Sequence, residues 1–224
     1  MVAKVQIAID GPAGSGKSTV ARLVAKELCY RYVDTGAWYR AVTLIALRQG
    51  INFDNQPALN RLAKTMLLEV KTKGDGWPLY LLAGKDISAA LRSPQVDDKV
   101  SQVAKIITVR DQVSEKLRAI GNQKGVVMDG RDIGTVVLPD AEVKVFLTAD
   151  LATRAKRRKR ELESRGFSLP LSAVKEEICQ RDEKDSSREV APLMPAADAY
   201  IIDTTNLTVD EVVASIVALV RGME

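Results

Sequence analysis

The chain of 224 residues contains no histidine, and this absence excludes the most chemistry. It rules out a Ser-His-Asp or Cys-His nucleophile pair and any His-ligated metal site. Reactive groups must come from carboxylates, lysines, arginines, backbone amides or a borrowed cation. Cysteine is nearly absent as well: Cys29 and Cys179 stand far apart and match no metal or redox spacing. A lone disulfide remains open, but two reduced, buried thiols in a cytosolic protein suit this usage better. The apolar stretch before Asp10 is too short for a signal peptide, and no later run approaches the roughly 18 residues of a membrane span. The expected compartment is the cytoplasm. Aromatics make up only 4% and hydrophobic residues 46%, with fourteen Gly and eight Pro. That is the composition of a globular chain able to bury one embellished domain or two small ones.

Positive charge looks plentiful, at a net +4, until it is located. Arg154, Lys156, Arg157, Arg158, Lys159 and Arg160 carry six charges, and taking them from the +4 leaves the rest of the chain at −2. A local patch of this kind points to a local anionic ligand and not to long-range steering of nucleic acid.

Val5 to Asp10 reads as a short buried strand, followed by a Gly-rich turn and a helix from Gly16 to Leu28. A second strand at Tyr32-Val33 ends at Asp34-Thr35-Gly36, and the next helix turns Val42, Ile45 and Ala46 inward. A short helix then precedes two alternating runs, Leu67 to Thr72 and Leu79 to Leu82, around Gly74-Asp75-Gly76, the pattern of a β-hairpin. Two helices fill Val96 to Gly121. The βα rhythm resumes with strands at Gly125 to Asp129, Val143 to Leu147 and Tyr200 to Asp203. Helices are expected at Ala152 to Ser164, Ser172 to Asp185 and Val209 to Arg221. Five short, continuously apolar strands between helices predict an α/β fold with a parallel sheet covered on both faces.

Gly11-Pro12-Ala13-Gly14-Ser15-Gly16-Lys17-Ser18 fits Gly-x4-Gly-Lys-Ser/Thr, directly after a strand and opening a helix. Its glycines let backbone N–H groups converge on phosphate oxygens at a positive helix end. Lys17 would reach the β- and γ-phosphates and the Ser18 hydroxyl a magnesium ion. The segment Gly11 to Thr19 is thus the expected ATP site. A nucleotide switch is excluded: Thr72-Lys73-Gly74-Asp75 falls in the hairpin turn, and no Asp-x-x-Gly occurs. No acid follows Asp129 to polarise water, as a motor ATPase would have. Gly130-Arg131-Asp132 instead places a cation and an anion at the carboxyl end of a strand, where a second substrate binds; a local surface ion pair is the blander reading. Arg154, Arg157 and Arg158 share a helix face, which suits a polyphosphate as well as a solvated surface. Arg181, Asp185 and Arg188 also share a face, as a salt-bridge network or a grip on sugar and phosphate.

Together these segments resemble the bacterial cytidylate kinases of the nucleoside monophosphate kinase group. The likeness rests on residues 9–18, Asp34-Thr35-Gly36-Ala37-Trp38-Tyr39-Arg40, Ser101-Gln102-Val103-Ala104, Asp129 to Thr135, Arg181-Asp182 and Arg188 to Leu193. It implies a three-layer P-loop core (residues 1–34, 105–150 and 190–224), an NMP-binding domain with a small β insert (35–104) and a helical lid (151–189). It also implies transfer of the ATP γ-phosphoryl group, with Mg²⁺, to CMP or dCMP. By that likeness Arg40 and Arg131 hold the acceptor phosphate, and Ser101, Arg110 and Asp132 read cytosine. Arg181 and Asp185 take the pentose, with Arg188 alongside. Lys17, Arg131, Arg154, Arg157 and Arg158 are the expected catalytic cations, and Ser18 the metal ligand. Thr35 stands where many members have Ser, which bears on sugar or base preference. The partners are then small molecules, neither nucleic acid nor membrane, and the chain is expected to act as a monomer. Another P-loop kinase for a different monophosphate or small metabolite remains open, as does an ATP-dependent nucleic-acid binder.

Overall fold

A computed structural model describes residues 4–222 apart from residue 75. The Met1-Val2-Ala3 start and Asp75 of the expected turn therefore lie outside the described residues. In chain order, β1 (Gln6–Asp10) runs through the Gly-rich loop into α1 (Lys17–Glu27), β2 (Arg31–Asp34) and α2 (Gly36–Arg48). An excursion follows: α3 (Gln56–Thr65), β3 (Leu68–Thr72), β4 (Pro78–Leu82), β5 (Lys85–Asp86), a 3₁₀ turn (Ala90–Arg92), α4 (Pro94–Ala104) and α5 (Ile107–Gly121). The chain returns through β6 (Val126–Gly130), a π turn (Ile133–Val137), β7 (Val143–Thr148), α6 (Leu151–Ser164), α7 (Leu171–Ser186), β8 (Tyr200–Asp203) and α8 (Val209–Arg221).

The main sheet is parallel, in the order β2-β6-β1-β7-β8. Strand alternation sends Ile7, Ile9, Val127, Val145 and Leu147 to one face, against Val20 and Val24 of α1 and Val212, Ile216 and Val220 of α8. Ala8, Val126 and Met128 face the other way, onto a core with α2 and α5 that continues into the excursion through Leu59, Tyr80 and Leu91. This is the two-sided burial that continuously apolar strands require. Edge strand β8 departs from it, with Tyr200 54% and Ile201 64% exposed. The hairpin of β3 and β4 forms as expected, in register Leu68 to Leu82 through Thr72 to Pro78. A third strand, β5, is added on the outer edge. Helices α6 and α7 pack on each other through a small core of their own, Ala155, Leu162, Val174 and Ile178.

The expected burial of both cysteines is corrected: Cys29 and Cys179 are free and exposed. Cys29 sits in the turn after α1 at φ 55°, and Cys179 lies on the outer side of α7, away from its buried Val174 and Ile178. No described helix is long and apolar enough to cross a membrane.

Candidate active site

The cleft opens at the carboxyl ends of β1, β2 and β6. Gly11, Gly14 and Gly16 all have positive φ (147°, 76° and 92°), a conformation that only glycine adopts without strain. Space enforces the choice as well. A Cβ on Gly11 would lie 2.0 Å from the Leu147 carbonyl oxygen, and one on Gly14 2.8 Å from that of Arg154. The loop is thus wedged between β7 and α6 and opens α1 at its positive end. Lys17 Nζ donates to the Pro12 carbonyl at 2.8 Å, and Ser15 Oγ donates to the same oxygen at 3.0 Å. Burial, aided by the Arg131 charge, pushes the Lys17 ammonium down, and Asp129 opposes the shift. Such a site wants an anion.

Ser18 Oγ donates to Asp129 Oδ2 at 2.7 Å, and the Tyr32 hydroxyl donates to Oδ1 at 2.8 Å. Burial and then Asp34 push the Asp129 carboxyl up. Hydroxyl and carboxylate oxygens side by side below a phosphate loop suit a hard cation that brings its other ligands on a nucleotide. No group of three His, Cys, Asp or Glu residues able to hold a metal by itself occurs among the described residues.

Across the cleft, of about 190 Å³, stand Thr35, Arg40, Ser101, Arg110, Arg131, Asp132, Arg158, Arg181, Asp185 and Arg188. Residues from five helices and two strand ends thus meet as the sequence reading expected. Arg131 and Asp132 do not pair with each other. Arg131 Nε donates to Asp185 Oδ2 at 2.8 Å, while Asp132 pairs with Arg110, whose guanidinium lies 5.5 Å from the Tyr39 ring centroid. Arg188 holds the other oxygen of Asp185. Burial works against the charge on Asp185, yet Arg131, Arg188 and Arg181 keep its carboxyl below the ordinary range. Thr35 Oγ1 donates to the Asp129 carbonyl at 2.8 Å, which leaves its lone pairs toward the cleft. Arg181 is different. It makes no salt bridge among the described residues, and its Nε is buried without a hydrogen-bond partner. Burial and the charges of Arg131 and Arg40 lower its pKa to about 10.

Arg154 and Arg157 do not reach this cleft, although they share a face with Arg158. Arg154 is buried, donating to the Ala149 and Ala13 carbonyls and pairing with Asp182. Arg157 donates to Thr204 Oγ1 at 2.8 Å and to the Thr204 carbonyl at 2.7 Å, behind the loop. Thr19 sits on α1 outside the lining as well. Sequence reasoning missed Asp34, Arg92 and Asp97. Asp34 pairs with Arg92, and Asp97 pairs with Arg40 and Arg158. The end of β2 was a signal for Asp34; nothing local marked the other two.

A P-loop strand, a cation-rich second cleft and a parallel sheet define a phosphotransferase that brings two anionic substrates together. Residues 7–222 match the cytidylate kinase family. The chain is 51% identical over 216 residues to a cytidylate kinase of Pelotomaculum thermopropionicum, covering 96% of each chain. It is 48% identical over 220 residues to one of Bacillus cereus, covering 98% of this chain and 97% of the other. A solved structure of an uncharacterized protein from Eubacterium ventriosum shares the fold, with TM-score 0.52 and 14% identity, over 97% of this chain and 99% of that one. The chain belongs to the cytidylate kinase family.

Proposed function

We propose that the chain transfers the γ-phosphoryl group of ATP to a phosphate oxygen of CMP or dCMP, giving the diphosphate and ADP. The observation that carries this reading is the convergence of Arg40, Arg131 and Arg181 opposite the P-loop: buried like charges that depress one of their own number call for a dianion. A nucleotide phosphate with second pKa about 6 is already ionised at neutral pH, so no general base is required. The absence of histidine costs the reaction nothing.

ATP lies on the Gly11-to-Thr19 segment, with Lys17 leaving the Pro12 carbonyl for its phosphates. Ser18, oriented by Asp129, would hold Mg²⁺ brought with ATP, which supplies charge neutralisation on the β- and γ-oxygens. Arg131 and Arg40 orient the acceptor phosphate, Arg158 faces the transferring group, and Asp185 takes the pentose between Arg131 and Arg188. Asp132 and Arg110 read the cytosine edge: the carboxylate accepts from the amino group, and the guanidinium donates to N3 and O2. Residues 35–104 form the acceptor-side domain and residues 151–189 a lid whose closure excludes water, over a core of 1–34, 105–150 and 190–224. Arg154 and Arg157 serve transfer from behind the loop, by fixing α6 to it. The enzyme works in the cytoplasm as a monomer on small molecules. An ADP-release assay with CMP, dCMP, UMP and AMP tests the reading. Turnover restricted to CMP and dCMP supports it, and a preference for AMP or UMP overturns it.

A further inference from the structure

Asp97 belongs to the first turn of α4, one turn before Ser101, and lines the hollow next to the cleft, with Ser101, Arg158 and Arg181 forming the shared wall between the two. Its Oδ1 lies 2.6 Å from Arg40 Nη1 and its Oδ2 3.5 Å from Arg158 Nη2. One small carboxylate thus joins the arginine of α2 to the arginine of α6. Burial works against its charge, yet Arg40, Arg158 and Arg181 keep the carboxyl below the ordinary range. The carboxylates that line the cleft itself have other partners: Asp34 pairs with Arg92, and Glu161 with Arg158 and Arg165. Asp132 faces the base side, Asp185 bridges Arg131 and Arg188, and Asp129 holds Ser18 and Tyr32. Asp97 has only the phosphate-side arginines.

We propose that Asp97 is a competitor built into the protein for the acceptor phosphate, and that it raises the affinity threshold of the arginine cluster, so that a phosphate needs the further contacts of a nucleoside to occupy it. The proposal rests on the assignment of that cluster to the acceptor phosphate. A carboxylate and a phosphate dianion compete for Arg40 and Arg158, because two like charges beside the same guanidiniums repel. Free phosphate brings no other contacts with which to displace Asp97. A nucleoside monophosphate does, through Asp132, Arg110 and Asp185, and its base and sugar contacts drive the exchange. Displacement also removes one of the carboxylates beside Arg158, which keeps its pair with Glu161 at 3.1 Å. The same carboxylate thus works against occupation of the cluster by small anions.

The test is Asp97→Asn in the full chain, which keeps the shape and removes the charge. Dissociation constants for orthophosphate, CMP and cytidine are measured by calorimetry against wild type, with thermal melts of each protein. Orthophosphate and CMP should each bind about 10-fold more tightly, while cytidine, which lacks the phosphate, should not change. Asp97→Glu keeps the charge and should return both affinities toward wild type. If orthophosphate binding is unchanged or weaker in Asp97→Asn, the carboxylate props Arg40 in place and the proposal fails. Equal tightening of cytidine also overturns it, because the change then loosens the cleft as a whole. If Asp97→Asn does not fold, Asp97→Ser is measured in its place under the same criteria. Wild-type turnover separates the two assignments. Tightened orthophosphate without CMP turnover leaves Asp97 standing and removes the cytidylate reading, and the reverse result does the opposite.

Discussion

Lys17 ties the P-loop to itself through the Pro12 carbonyl, and the phosphates of a nucleotide must take over that ammonium. Lys17→Ala should reduce phosphoryl transfer by orders of magnitude, with a melting temperature close to wild type, because the side chain serves anions and not the apolar core. The neighbouring arginines of α6 separate by partner. Arg158→Ala should lower kcat far more than it raises the KM for CMP, with little change in stability. Arg157→Ala removes the donor to Thr204 Oγ1 and the shorter of the two donors to the Thr204 carbonyl, leaving the Leu207 amide at 3.4 Å, and should cost about 1–3 kcal/mol in urea unfolding. The P-loop and Arg131 were legible because their chemistry depends on local spacing. Which carboxylate neutralises which arginine was not, since Arg40 and Asp97 meet only through the packing of α2 on α4. The proposed reading of the base is tested at the same scale. Asp132→Asn can donate to the uracil carbonyl, so it should narrow the CMP/UMP ratio of kcat/KM by roughly tenfold or more. Equal loss on both substrates, with the ratio unchanged, would make Asp132 only the structural partner of Arg110.

At the scale of elements, apolar runs located every strand of the main sheet. The inner strands show such a run because burial on both faces demands it. Edge strand β8 keeps one from Tyr200 to Ile202 although Tyr200 and Ile201 are exposed. Such runs did not reveal β5, whose two residues, Lys85 and Asp86, are exposed and carry no pattern. Nor did they reveal the π turn after Asp132, which exists because Asp10 on another strand accepts from the Ile133 and Gly134 amides at 2.9 and 2.8 Å. The α6–α7 pair holds together by a few side chains. Ile178→Ala should therefore cost about 2–4 kcal/mol locally. Amide exchange should rise in residues 151–186, while β1 and β6 keep wild-type protection. Uniformly faster exchange would mean that the pair unfolds only with the sheet.

For the whole molecule, the buried Asp10 carboxyl gives stability a pH slope. Burial pushes its pKa up to about 7 from 3.8, against the pull of the two amides it accepts from. Between about pH 4 and 7 the folded chain keeps a proton that the unfolded chain has released. This contribution is therefore full at the acid end and is lost as pH rises through 7. Urea midpoints from pH 5 to 8 should fall more steeply in wild type than in Asp10→Asn, which cannot titrate. Parallel slopes would show that Asp10 stays ionised throughout.

The same aspartate has a mechanical consequence. It staples the strand end that opens the P-loop to the turn that begins at Asp132, so one frame carries both the P-loop and the Asp132–Arg110 pair. The cations of α6 and α7 ride on a helix pair with its own small core, tied to that frame through Arg154 and Arg157. Tolerances in such a device are divided: the spacing of the two halves of the cleft is machined into the sheet, and the helix pair is a part that can be exchanged. A hairpin of residues 151–186 transplanted from a relative should alter speed before it alters which base is accepted.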